Sequence, residues 1–153
     1  MALVDPLLHP TRFEPECSVD ISSSPDEREA ETMVTVLICE NCRDETGSDA
    51  RPRAGEHLAE DAIRAASGTN VRIEKVECLG NCKRRLSAAM VRPGSWSYVF
   101  GELTINSGAD LVAGAELFAG STDGLIPWRG RPDSLKRGLI SRIPPLNPLK
   151  ELK

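Results

Sequence analysis

The stretch Val34-Thr35-Val36-Leu37-Ile38-Cys39-Glu40-Asn41-Cys42 decides the fold. Its first five residues are a mostly apolar, β-branched run, the pattern of a buried strand. The run ends on Cys39, which opens a C-x2-C pair with Cys42. The same arrangement recurs downstream. Val71, Ile73 and Val76 make a second strand that leads into Cys78-Leu79-Gly80-Asn81-Cys82, a C-x3-C pair. Between the two, Pro52 suits a first helical position. Leu58, Ala59, Ala62, Ile63 and Ala66 then recur at helical spacing, and Gly68 fits a C-cap. A strand–helix–strand unit has a right-handed crossover that makes its strands parallel. Adjacent parallel strands end at the same edge of the sheet, so all four sulfurs are expected to converge there. That edge is where open α/β sheets place ligands.

Working outward, Ala88-Ala89-Met90-Val91 reads as a third strand and Pro93-Gly94-Ser95 as a turn. Trp96, Tyr98 and Phe100 alternate on one face of a fourth strand. Asp110 is expected to cap a second helix whose Leu111, Val112, Ala115, Phe118 and Ala119 share a face. The predicted order is β-α-β-β-β-α within residues 34–123, an α/β domain. Residues 1–33 carry eight acids and two arginines, a net of −6, with four prolines and a triple-serine run. They lack periodicity and read as a disordered acidic leader. Met33 directly precedes the first strand and would serve as an alternative start. Residues 124–153 carry seven bases and two acids, a net of +5, and five prolines. They read as an irregular basic arm lying on the domain, with room for a short helix from Asp133 to Ser141.

The whole chain of 153 residues has a net charge of −4, which argues against a general nucleic-acid binder. No apolar run approaches the roughly 20 residues of a membrane helix. No secretory signal is visible at the N-terminus, so a cytoplasmic, reducing setting is expected. There, closely spaced cysteines point to metal binding or redox chemistry rather than structural bridges.

Four thiolates at one site suit soft, tetrahedral chemistry: zinc, or an iron–sulfur cluster in which each iron takes two cysteines. Gly80 fits both, since a ligand loop must wrap tightly and can aim an N–H at sulfur. A thiol–disulfide oxidoreductase is the third reading. It lacks the usual signal, because about nine residues separate Cys42 from the first helix, whereas an activated thiol sits at a helix N-terminus.

These residues carry a resemblance. Cys78-Leu79-Gly80-Asn81-Cys82 followed by Lys83, together with the strand order, resembles thioredoxin-like [2Fe-2S] ferredoxins. Cys39-Glu40-Asn41-Cys42-Arg43, Trp96-Ser97-Tyr98-Val99-Phe100-Gly101 and Trp128-Arg129-Gly130-Arg131-Pro132 further resemble an uncharacterised bacterial family of predicted metal-binding proteins, domain of unknown function 1636. The resemblance implies a thioredoxin-like ferredoxin fold and a [2Fe-2S] cluster on Cys39, Cys42, Cys78 and Cys82. It also implies a one-electron carrier rather than an enzyme, a protein redox partner, and a homodimer as one oligomeric state. The family's frequent proximity to cobalamin-biosynthesis genes implies a role in corrinoid or cobalt metabolism. One departure stands out: ferredoxins of this fold separate the first two ligands by about ten residues, not two, which keeps zinc open as the alternative.

Lys83, Arg84 and Arg85 follow Cys82 directly and are candidates to dock an acidic redox partner or to offset the charge of a thiolate centre. Trp128 is expected to anchor the C-terminal arm, and its flanking arginines are candidates to bind a carboxylate or phosphate. His57 is expected to face solvent from the first helix. His9 and Cys17 fall in the leader and carry no expected role. No Gly-rich phosphate loop and no catalytic triad can be composed from these residues.

Overall fold

The computed structural model describes residues 32–145. The expected leader over residues 1–31, with His9 and Cys17, and the last part of the arm over residues 146–153 lie outside the described residues. The elements run β1 (Val34–Cys39), α1 (Ala54–Ala65), β2 (Val71–Val76), β3 (Ala88–Val91), β4 (Ser97–Phe100), α2 (Gly108–Ala119), α3 (Asp133–Arg137) and β5 (Leu139–Ile143). They form a mixed α/β fold around one sheet of order β2-β1-β3-β4-β5. β1 and β2 are parallel, in the register Val34↔Val71 through Cys39↔Val76. The remaining pairs are antiparallel.

One face of the sheet makes the core. Val36 lies beside Met90, and Met90 beside Tyr98; Ile38 lies beside Ala88, and Ala88 beside Phe100. All six are buried, as the two-residue period of a strand requires. Leu58, Ala59 and Ala62 of α1 and Leu111, Ala115 and Phe118 of α2 bury against them. The two helices also pack against each other. Phe118 meets the Tyr98 ring edge-on at 5.5 Å. Asp61 on α1 accepts the Gly108 N–H at 2.8 Å, so one helix satisfies a free donor at the start of the other. Arg92 donates to the carbonyls of Phe118 and Ser121 and closes the other end of α2.

The helix boundaries differ from expectation by a few residues. α1 begins after Arg53 rather than at Pro52 and ends at Ala65, and Gly68 lies in the turn beyond it, at φ +82°. Asp110 sits in the first turn of α2 rather than at its cap, which is Ser107. The larger correction concerns the arm. The helix there stops at Arg137, and Leu139–Ile143 forms a fifth strand on the open edge of β4. The reason is the edge itself: an unpaired strand offers a row of backbone groups that a short neighbouring segment can satisfy. The Gly101 N–H donates to Gly138 O at 2.8 Å to start the pairing, and Pro144, which has no N–H, follows its end. Among the described residues, no helix is long and apolar enough to cross a membrane.

The start of α1 is pressed against the loop that follows β1. The Gly55 N–H donates to Cys42 O at 3.0 Å. A side chain at Gly55 would meet the carbonyl oxygen of Cys39, and that of Glu40 at 2.8 Å. Both are backbone atoms that cannot swing aside. Gly55→Ala should therefore cost about 3 kcal/mol, at the upper end of overpacking losses, and lower Tm by roughly 6–12 °C. Gly120→Ala, whose nearest neighbours lie at 3.7 Å or more, should leave Tm nearly unchanged. Thermal melts of the two variants against the parent check the pair.

Glu56 caps the same helix by accepting the Arg53 backbone N–H at 2.5 Å. That hydrogen bond, with help from Arg51, holds its carboxyl below the ordinary value of 4.5. A depressed carboxyl stabilises the fold above its ordinary pKa and loses that contribution as pH falls through the lowered value. Glu56→Ala should thus melt below the parent at neutral pH, and the gap should close in acid. Melting curves across that range test it.

Candidate metal centre

β1 and β2 end side by side, and the chain leaves both at the same edge. Glu40 N–H donates to Val76 O at 2.9 Å, so the parallel ladder continues one step beyond the strands. Cys39, the last residue of β1, donates its thiol to Glu77 O at 3.5 Å, one residue before Cys78. Cys42 follows in a tight turn whose N–H donates to Cys39 O at 3.4 Å. All four cysteines line one cavity of about 760 Å³. The two parallel strands bring both pairs to one edge, as expected, without gathering the four sulfurs together.

The pairs differ in environment. Cys39 and Cys42 are buried and Cys78 and Cys82 are exposed, all four as free thiols. Burial, and then the neighbouring Cys39, push the Cys42 thiol up to about 11. The second loop turns at Gly80, whose φ of +72° is a conformation that favours glycine. The Gly80 N–H donates to Cys78 Sγ at 3.2 Å, the kind of hydrogen bond that stabilises a thiolate. Asn81 holds the far side of the loop by donating to Arg84 O at 3.0 Å and Ser87 Oγ at 2.9 Å. Among the described residues, no group of three or more histidine, cysteine, aspartate or glutamate side chains is gathered closely enough to hold a metal ion. The donor set nevertheless suits a soft metal centre, with four thiols on one cavity wall. Coordination would require the exposed Cys78–Cys82 loop to close on the buried pair.

Three arginines complete the lining: Arg43, Arg53 and Arg85. Arg53 donates to Asn41 O at 3.1 Å and to Asp49 at 2.9 Å, which clamps the first cysteine loop. Its Nε is buried without a hydrogen-bond partner. Arg43 also pairs with Asp49, at 2.7 Å. Arg85 donates to Asp44 O at 2.5 Å, tying the chain after Cys82 to the chain after Cys42. Sequence reading quoted Arg43 only as part of a family motif and assigned a role to neither Arg43 nor Arg53. Their place depends on the path of the 43–53 loop, which has no periodicity to read.

The basic run does not form one patch. Lys83 is exposed, Arg84 pairs with Glu102 at 3.3 Å, and Arg85 faces the cavity. A 3₁₀ turn over Cys82–Arg84 separates successive side chains by about 120°, which sends them apart. His57 is exposed on α1, 4.0 Å from Glu60, as expected. Trp128 does not anchor the arm: it is 64% exposed, and the buried residues there are Ile126, Arg131 and Leu135.

No curated protein and no solved structure matches the chain. One family does, over residues 36–145, which spans both cysteine pairs and the sheet through β5. The chain belongs to the family described as Protein of unknown function (DUF1636).

Proposed function

We propose that this chain holds a metal centre on Cys39, Cys42, Cys78 and Cys82, and that the centre is a [2Fe-2S] cluster serving one-electron transfer. The observation that carries the reading is the single cavity on which all four thiols lie. Their grouping into two pairs suits a centre of two irons with two cysteines each. When bound, such a cluster supplies a reversible one-electron acceptor. The chain supplies the four sulfurs, the Gly80 N–H toward Cys78, and the charge of Arg43, Arg53 and Arg85 against an anionic centre. The proposal is of a carrier that docks a protein partner, with Lys83, exposed and without an ion pair among the described residues, beside the site. A role in corrinoid or cobalt metabolism belongs to the same proposal and rests on the family resemblance.

Zinc is the second reading, favoured by the tight turn between Cys39 and Cys42, which resembles the close ligand spacing of structural zinc sites. A thiol–disulfide role is less well supported. Cys42 is buried, and a thiol held near 11 is a poor nucleophile at neutral pH.

Protein purified without oxygen should be red-brown, with visible charge-transfer absorption and iron and acid-labile sulfide in equal amounts. Colourless protein carrying zinc would select the second reading. Serine at any one of Cys39, Cys42, Cys78 or Cys82 should remove most of the metal, because the centre needs its full thiolate count. Cys17→Ser should retain it. Metal analysis of the five variants checks the set, and retention by Cys42→Ser would break it.

Arg85 and Lys83 separate a supporting role from a docking one. Arg85 bridges the two cysteine loops, so Arg85→Ala should weaken metal retention about tenfold, as loss of an outer-shell partner does. Lys83→Ala should not. Metal loss to a chelator, followed over time for both variants, measures the difference.

A further inference from the structure

Toward the opposite edge of the sheet, a second cavity of about 650 Å³ opens between β4, β5 and the 123–131 loop. It shares no lining residue with the cysteine cavity. Its volume falls within the roughly 300–1,000 Å³ of small-molecule sites. The walls are largely apolar, with Leu125, Ile126 and Leu139 beside the Tyr98 ring, and they carry two cations, Arg131 and Arg142. Trp128 stands at this cavity 64% exposed.

Arg131 is only 7% exposed. One of its terminal nitrogens donates to Ile126 O, and its Nε has no hydrogen-bond partner. The guanidinium lies 5.9 Å from the Tyr98 ring centre and 5.5 Å from that of Trp128. Arg142 is exposed and sits 5.1 Å from the Trp96 ring. Among the described residues, neither arginine makes an ion pair. A buried guanidinium without a counterion is unfavourable, and aromatic rings offset only part of that cost. The nearby acid is Asp123, whose Oδ1 already accepts from Leu125 N–H at 3.0 Å and the Ser121 hydroxyl at 3.3 Å. Among the lining residues, two cations against one engaged acid leave one positive charge in excess. Lys136, which also reaches the Trp128 ring, is balanced by Asp133, so the excess fits a monoanion. Apolar walls fit an apolar body and disfavour a hydrated phosphate dianion.

We propose that this cavity binds a small organic acid, its carboxylate paired with Arg131 and Arg142 and its apolar body lying against Trp128 and the Leu125–Leu139 wall. The site is independent of the cysteines and of which metal they hold. It also gives a role to Trp128, which stays 64% exposed although Arg131 and Lys136 both reach its ring.

The chain has two tryptophans: Trp128 lines the cavity and Trp96 stacks on Arg142, so intrinsic fluorescence reports occupancy. The full chain would be titrated with hexanoate, hexanamide and inorganic phosphate. Hexanoate should give a saturable change, and hexanamide, which lacks only the charge, should bind at least about tenfold more weakly. Phosphate should bind more weakly than hexanoate. Arg142→Gln, at an exposed position, should melt like the parent and lower hexanoate affinity about tenfold. Trp128→Ala should weaken hexanoate and hexanamide alike. Arg131→Lys adds a direct test if it folds, and Arg142→Gln decides if it does not. The proposal is overturned if hexanoate fails to saturate, if hexanamide binds equally well, if phosphate binds more tightly, or if Arg142→Gln leaves hexanoate affinity unchanged.

Discussion

The parallel pairing of β1 with β2 is the constraint on which both core and site depend. Its register sets Cys39 beside Val76, two residues before Cys78. A slip of two residues would move one pair of cysteines relative to the other by about 6.6 Å along the strand. A slip of one would turn Val34, Val36 and Ile38 out of the core. Burial of those three side chains beneath α1 and α2 therefore fixes where the sulfurs lie. Gly55 adds a second lock. Without a side chain, α1 can rest directly on the Cys39–Glu40 backbone, and its N–H holds Cys42 O.

The two cysteine loops are built to different standards. The first is held on several sides: Arg53 on Asn41, α1 on Cys42, and the Ser87 carbonyl on the Cys39 N–H at 3.1 Å. The second is exposed at both cysteines and is held through Asn81 and the glycine turn. A centre bound here would meet a fixed buried half and a half free to adjust. Ordering that second loop would then accompany binding, so metal affinity and local stability would be coupled.

Much of this was legible in the sequence because the signals are local. β1 is a continuous apolar run, α1 shows a helical period, and the crossover rule alone brings two distant cysteine pairs to one edge. The fifth strand was not legible. Ser141, Arg142 and Ile143 are exposed in it, so no alternation marks it, and it exists because β4 offers an edge. Trp128 misled for a related reason. A large aromatic in an irregular arm suggests an anchor, yet Arg131 takes the buried position, held by the Ile126 carbonyl and the Tyr98 ring. Those partners come from a loop and from another strand, and sequence spacing carries no trace of them. The run Lys83-Arg84-Arg85 reads as one charge patch and folds as an exposed lysine and two arginines with separate partners.

The two cavities place arginine in a chain that is acidic overall, and the arginines differ in what answers their charge. In the cysteine cavity, Asp49 pairs with both Arg43 and Arg53, and backbone carbonyls accept from Arg53 and Arg85. Those cations have partners within the fold, so they act first as clamps on the loops. They keep enough positive charge nearby to favour an anionic thiolate centre. In the second cavity, no carboxylate among the described residues pairs with Arg131 or Arg142, and rings take the place of counterions. A recessed cation between low-dielectric walls attracts anions once they are close. Anion recognition in this fold thus falls to the pocket where the guanidinium is buried and unpaired. In the cysteine cavity the arginines are already engaged by Asp49 and by backbone carbonyls, so their charge serves first to hold the loops.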